Sequence, residues 1–294
     1  MDIIEQLSTA LTARLAAAGS SVVAVIGARR PCSGILWRED VVLTSEQLLG
    51  EQPDLTVSAD GRTAAATLAG RDAGTNVAVL KLDAALPAAP IEAASAASAG
   101  ALALVIGADA SGAATGRLAM VHAVGEAWHS MAGGRIDALI RLDCRLGADE
   151  GGPVLAADNR LLGMSTSGPR RRTIVIPTAT LARVVEPLLA EGRITRGWLG
   201  VGLQPVMIPD GLRQEAGREA GLMVVGLSPG APAEAAGVLP GDIVLDLDGQ
   251  PVARPRALAS LLGPDAIGRS VALRVLRAGN VHTVGVTVAA RPAG

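Results

Sequence analysis

The chain has 294 residues, 49% of them hydrophobic, and a formal net charge of −2; this is enough apolar material for one large or two ordinary domains and excludes a disordered chain. Arg and Asp/Glu are interspersed, so no extended basic face exists for nucleic acid. With no Phe, no Tyr and three Trp, the core has to be aliphatic. Cys32 and Cys144 share no metal-ligand spacing with His122, His129 and His282, so neither a metal nor a cofactor is expected.

In chain order, Met1–Leu7 lacks the basic region, apolar run and small-residue cleavage site of a secretory leader, and no later stretch is long enough to span a membrane. The location expected on that ground is the cytoplasm. Ile3, Ile4, Leu7, Leu11 and Leu15 recur at three- and four-residue spacing, predicting an amphipathic helix within residues 1–20 that packs on the next domain. Its polar face holds only Arg14 as a base, which argues against a membrane-surface role.

From Ser21 onward, short β-branched runs alternate with Gly, Asp and Pro turn signals. They include Val22–Ile26, Val41–Leu43, Leu55–Val57, Val77–Leu82, Leu102–Ile106, Arg117–Val124, Ala138–Leu142, Arg160–Ser165 and Thr173–Ile176, with Asp60-Gly61 as a hairpin turn. Many strands at short spacing predict closed antiparallel barrels rather than βαβ units. Arg170-Arg171-Arg172 interrupts the mixed charge pattern and reads as a solvated loop tip rather than an anion site. A helical run over Leu181–Leu189 stops at Gly192, and a domain boundary follows. The last hundred residues then alternate strand, short capped helix, glycine turn and strand, with a helix over Pro255–Leu262 and a hairpin of Val271–Leu276 and Val281–Val288.

Four phrases carry a resemblance. Arg145-Leu146-Gly147-Ala148-Asp149-Glu150-Gly151-Gly152-Pro153 resembles the nucleophile loop of trypsin-like serine proteases of the HtrA/Deg branch, with Glu150 at the serine position and one residue fewer before it. Val41-Val42-Leu43-Thr44-Ser45-Glu46-Gln47-Leu48-Leu49 resembles the phrase around the family's histidine and places Gln47 there. Gly70-Arg71-Asp72-Ala73-Gly74-Thr75-Asn76-Val77-Ala78-Val79-Leu80-Lys81-Leu82 resembles the phrase around its aspartate and places Asn76 there. Ser228-Pro229-Gly230-Ala231-Pro232-Ala233-Glu234-Ala235-Ala236-Gly237-Val238-Leu239-Pro240-Gly241-Asp242 is similar to the core pattern of a PDZ domain.

The resemblance implies a mainly β chain: an N-terminal helix over 1–20, a chymotrypsin-like double antiparallel β-barrel over 21–190, and a small α+β PDZ domain over 194–294. It also implies a degenerate triad. A serine nucleophile requires a hydroxyl, a histidine to take its proton, a carboxylate to orient that histidine, and amides aimed at the oxyanion. Gln47 cannot carry the proton, Asn76 cannot supply the carboxylate, and Glu150 has no hydroxyl. The oxyanion loop Ala148, Asp149 and Glu150 carries two acidic side chains. HtrA proteases commonly trimerise through N-terminal aromatic residues, and this chain has none there.

Function by resemblance is therefore binding. PDZ domains take a peptide as an added strand and hold its terminal carboxylate with backbone amides. Here Trp198, Leu199, Gly200 and Val201 would form that loop, and Leu199, Val201, Leu258 and Leu262 would line the pocket for the last side chain. The partners implied are peptides or protein C-termini, with an active protease relative as a further candidate. Two other readings stay open. One is an active endopeptidase with a non-standard catalytic set drawn from Ser165, Thr166, Ser167 and Cys144. The other is a structural adaptor whose cleft is filled by its own side chains.

Overall fold

The computed structural model describes residues 2–51, 54–87, 92–94 and 96–292. It divides into two compact units, Met1–Ile194 and Thr195–Gly294.

The first unit opens with helix α1 (Ile3–Ala18) and continues into strands β1 (Val22–Ile26), β2 (Cys32–Arg38), β3 (Val41–Ser45), β4 (Leu55–Ala59), β5 (Arg62–Asp72) and β6 (Val77–Leu82). They close into an antiparallel barrel in the order β1-β2-β3-β6-β5-β4. Strands β7 (Leu102–Ala108) and β8 (Ala114–Gly125) follow. A short hairpin of β9 (Trp128–His129) and β10 (Arg135–Ile136) leads to β11 (Leu139–Leu142), β12 (Pro153–Ala156), β13 (Leu161–Ser167) and β14 (Thr173–Pro177). A second closed barrel results, ordered β11-β14-β13-β12-β7-β8. This is the chymotrypsin-like double barrel that the strand spacing and the motifs point to.

Why the runs are continuously apolar rather than alternating is visible in the packing. Val23, Val25, Val42 and Leu80 fill the first barrel, while their neighbours Val22, Ala24, Leu43 and Val79 face outward. That outward face is not solvated. It meets Leu104, Ile106, Leu155, Met164 and Ile176 from the second barrel in a shared core. Strands buried on both sides need apolar residues at every position. Helix α2 (Thr178–Glu191) completes this core. Its Leu181, Val184, Val185 and Leu188, at i, i+3, i+4 and i+7, are buried, and Gly192 ends it in the left-handed conformation with its N–H on Leu188 O.

Helix α1 forms where its periodicity predicts, but only half of its apolar stripe finds a partner. Leu11 and Leu15 pack on the shared core, and Leu15 lies against Gly116 of β8. Ile3 and Ile4 are 77% and 70% exposed. Periodicity gives the face of a helix and is silent about how far along that face the partner extends. No helix among the described residues is long and apolar enough to cross a membrane.

The second unit comprises β15 (Gly197–Trp198), β16 (Val201–Met207), α3 (Asp210–Ala216), β17 (Ala220–Leu227), α4 (Pro232–Ala235), β18 (Ile243–Leu247), β19 (Gln250–Pro251), α5 (Pro255–Leu261), β20 (Ser270–Arg277), β21 (Asn280–Thr287) and β22 (Ala289–Ala290). The main sheet runs β16-β17-β18-β20-β21, so β16 is an edge strand. Pro205 lies in it, as an edge tolerates. Helix α3 is absent from the sequence reading; its seven residues are too few for a periodic signal.

Candidate functional site

Gln47, Asn76 and Glu150 are separated by up to 103 residues and converge in the first unit. Gln47 sits in the single 3₁₀ turn that follows β3. Asn76 ends the turn before β6. That turn is tied by the buried Asp72, whose carboxylate accepts from the Gly74 N–H at 3.1 Å, the Thr75 N–H at 3.0 Å and the Thr75 hydroxyl at 2.8 Å. It leaves Asn76 at φ 56°, a left-handed conformation that Asn tolerates better than most residues. Glu150 precedes β12 on the second barrel.

The Gly151-Gly152 pair fixes that last loop. Gly151 has φ 91°, and a Cβ there would lie 2.3 Å from Ser33 O; one on Gly152 would lie 2.1 Å from Ile106 O. Only glycine allows the loop to pass so close to both barrels.

The three side chains form one hydrogen-bonded set. The Gln47 Nε2 donates to Glu150 Oε1 at 2.6 Å and lies 3.1 Å from Ser167 O. The Gln47 backbone N–H donates to Asn76 Oδ1 at 2.8 Å. In turn the Asn76 amide donates to Ser45 Oγ at 3.0 Å and to Thr166 Oγ1. Glu150 is buried at 4% exposure. It also accepts from the Ser167 N–H at 3.0 Å and from the Ser167 hydroxyl at 2.7 Å. Every polar neighbour of its carboxylate is a donor, which is how an acidic group is accommodated out of water.

The loop before Glu150 is also folded onto itself. Glu150 N–H donates to Gly147 O at 3.2 Å, and Gly147 N–H donates to Asp149 Oδ1 at 2.6 Å. Asp149, 8% exposed, is paired with Arg117 at 3.1 Å. An oxyanion hole needs amides pointing outward to the site where charge develops; in this loop these two amides are satisfied internally. In front of the set lies a cavity of about 590 Å³, lined by Gln47, Glu150 and Ser167 together with Arg30, Arg145 and Arg171.

Ser165 backs this loop without joining the set: it is fully buried and its hydroxyl donates to Asp149 O at 2.7 Å. Cys32 and Cys144 are free thiols. Burial pushes the Cys32 thiol up to about 11, against the opposing effect of its hydrogen bond with Thr44, and burial also raises Cys144. Neither is poised as a nucleophile. Among the described residues no cluster of three or more His, Cys, Asp and Glu could hold a metal.

In the second unit, Gly200 takes φ 76°, and a Cβ there would lie 2.1 Å from that of Ala231. The carbonyls of Leu199 and Gly200 accept from Ala233 and Ser228 at 3.0 and 2.8 Å, anchoring the loop to the start of α4. Leu199, Leu258 and Leu262 are buried in the core of this unit, at 1%, 3% and 7% exposure. Val201 and Leu203 of β16 are half-buried against it, and Trp198 is half-buried in β15. Among the described residues the outer edge of β16 has no strand partner.

A double barrel with three equivalent loop positions, joined to a unit whose edge strand follows a glycine loop, defines a trypsin-like domain followed by a PDZ domain. The two are matched separately: a trypsin-like peptidase domain over residues 32–164 and a PDZ domain over residues 197–288. The chain belongs to the HtrA/Deg-like family of trypsin-fold proteins. It is 31% identical over 283 residues to a probable periplasmic serine endoprotease DegP-like of Halomonas elongata, an alignment covering 87% of this chain and 56% of that protein. A protein of the same name from Brucella suis is 31% identical over 166 residues, 54% of this chain and 32% of its own length. The chain thus spans about half, or less, of the curated relatives it matches. Among solved structures, the HtrA-type protease AlgW with decapeptide superposes with a TM-score of 0.75 at 23% identity, covering 97% of this chain and 99% of that one. The serine endoprotease from Yersinia pestis gives 0.71 at 24%, covering 96% and 98%.

The relatives overturn the cytoplasmic location expected from the sequence, since they are named as periplasmic proteins. That expectation rested on a missing leader pattern at the first residues, and such an absence carries no address.

The sequence motifs locate Gln47, Asn76 and Glu150 but not what holds them. Ser45, Thr166 and Ser167 are the supporting donors and acceptors. Thr166 and Ser167 stand out in the sequence only as stray hydroxyls beside the loop. Their role depends on β13 crossing behind it.

Proposed function

We propose that the chain is a catalytically silent HtrA-like module that binds peptides or protein C-termini through its PDZ domain. The observation that carries this reading is Glu150. Its carboxylate occupies the nucleophile position and is engaged by Gln47 and Ser167. None of Gln47, Asn76 and Glu150 can supply the hydroxyl nucleophile or the proton-relaying base of a serine triad. The PDZ reading is supported by the anchored Trp198–Val201 loop and the unpaired edge of β16, which suit strand addition with a terminal carboxylate at the loop.

The test compares casein cleavage and fluorophosphonate labelling of the native chain with those of a Gln47→His, Asn76→Asp, Glu150→Ser variant. The expected outcome is no cleavage and no labelling in the native chain, with labelling in the triple variant. Cleavage by the native chain that persists after Glu150→Ala sinks the proposal.

A second reading rests on one contact, the 2.7 Å bond from Ser167 Oγ to Glu150 Oε2, which would make Ser167 a nucleophile with a carboxylate base. It is weakened because Gln47 and the Ser167 amide already share that carboxylate. Fluorophosphonate labelling that disappears in Ser167→Ala would favour it.

A further inference from the structure

The cavity in front of Glu150 has a charge that the binding reading does not use. Its walls carry Arg30, Arg145 and Arg171 beside the apolar Pro31, Leu48 and Leu146. A second cavity of about 390 Å³ shares Arg145 and Arg171 and adds Arg141, Arg170 and Arg172. The two adjoin and are lined by six arginines in a chain whose net charge is −2.

These arginines differ from seven other basic residues of the same domain. Arg38, Arg71, Lys81, Arg117, Arg135, Arg160 and Arg183 each have a carboxylate partner. Among the described residues, none of the six does. Two acidic side chains line these walls, and both are committed. Glu150 is engaged by Gln47 and Ser167, while Asp143 Oδ1 accepts the Met120 N–H at 2.8 Å. A further observation points to a ligand: Arg141 Nε is buried and has no hydrogen-bond partner among the described residues, a state that buried donors seldom keep.

We propose that this double cavity is a recognition site for an acidic polypeptide segment. The proposal rests on the silent-cleft reading and names the ligand class of that cleft. Guanidinium forks match carboxylates bidentately, and Pro31, Leu48 and Leu146 between them suit the aliphatic parts of an extended peptide. A phosphate cradle is disfavoured because the Gly147 and Glu150 amides are turned inward. Nucleic acid is disfavoured because, among the described residues, neither cavity is lined by a Trp, Tyr or Phe for a base to stack on.

The test is fluorescence anisotropy of the full chain with a labelled decapeptide of alternating Glu and Ala, blocked by an N-terminal acyl group and a C-terminal amide. The amide removes the carboxylate that a PDZ loop would hold. The Glu peptide is expected to bind about tenfold more tightly than its Gln counterpart, and to weaken several-fold between about 50 and about 300 mM salt. Arg145→Ser with Arg171→Ser should weaken it about tenfold. Should that variant not fold, Arg170→Ser with Arg172→Ser, both at exposed positions, is expected to act in the same direction. Equal affinity for the Glu and Gln peptides overturns the proposal. So does binding of inorganic tripolyphosphate with none of the Glu peptide. Cleavage of the Glu peptide by the native chain would refute the silent cleft while supporting acidic recognition; loss of Glu preference without cleavage would refute the acidic site alone.

Discussion

Glu150 accepts three hydrogen bonds from Gln47 and Ser167, so its removal strands donors inside the protein. Glu150→Ala is expected to destabilise the first unit by about 1–3 kcal/mol, the usual cost of buried groups left unpaired. Urea unfolding measures it, and a midpoint equal to the wild type would show that water replaces the carboxylate freely. Glu150→Gln keeps one acceptor oxygen but brings its own amide towards Gln47 Nε2, so part of the loss remains. The three positions hold mutually compatible residues: Gln47 donates to Glu150, and Asn76 receives the Gln47 backbone N–H. Their identity was legible in the local phrases around each of them. Their bonding was not, since Ser45, Thr166 and Ser167 reach them from other strands. The basic cavity was legible only as the run at Arg170-Arg171-Arg172; Arg30 and Arg145 join it through folding alone.

Among the elements, the turn into β18 shows how a PDZ motif residue stabilises the fold. Asp242, 1% exposed, bonds the Leu239 N–H at 2.8 Å and receives Arg277 at 2.8 and 2.7 Å. Burial pushes its carboxyl up, and the bonds from Arg277 and Leu239 more than offset that, leaving it below the usual carboxylate range. A depressed folded value means that the contribution is complete above the unfolded value of about 3.9 and is lost as acid titrates the folded carboxyl. Asp242→Asn should therefore lower stability near neutrality by about 1–2 kcal/mol, a figure discounted because Arg277 is partly exposed. The two stability curves should converge below about pH 4; thermal denaturation across pH checks it, and a gap that persists in acid contradicts it. Gly241-Asp242 stands out in the sequence as a turn and strand start. That Arg277, 35 residues away, clasps the aspartate follows from β20 lying beside β18, a pairing no local signal contains. The same limit explains α1: its stripe was legible, whereas the exposure of Ile3 and Ile4 was not.

For the whole molecule, the cores are segregated: the shared and barrel cores lie within Met1–Ile194, and separate clusters lie within Thr195–Gly294. Leu181→Ala, at a fully buried position of α2, should cost about 2–5 kcal/mol and lower only the calorimetric transition of the first unit. A matching fall in both transitions would mean that the units unfold as one. The two barrels were legible as a class because strand spacing and turn signals are local, whereas barrel closure and the core between them depend on residues far apart in sequence. The aliphatic composition has an optical side as well. Near-ultraviolet emission comes from Trp37, Trp128 and Trp198 alone, and only Trp198 belongs to the second unit, half-buried beside the glycine of its loop. Once Trp37 and Trp128 are replaced by Phe, the protein's fluorescence becomes the signal of a single indole, and occupancy of that loop can be followed by colour without attaching a dye.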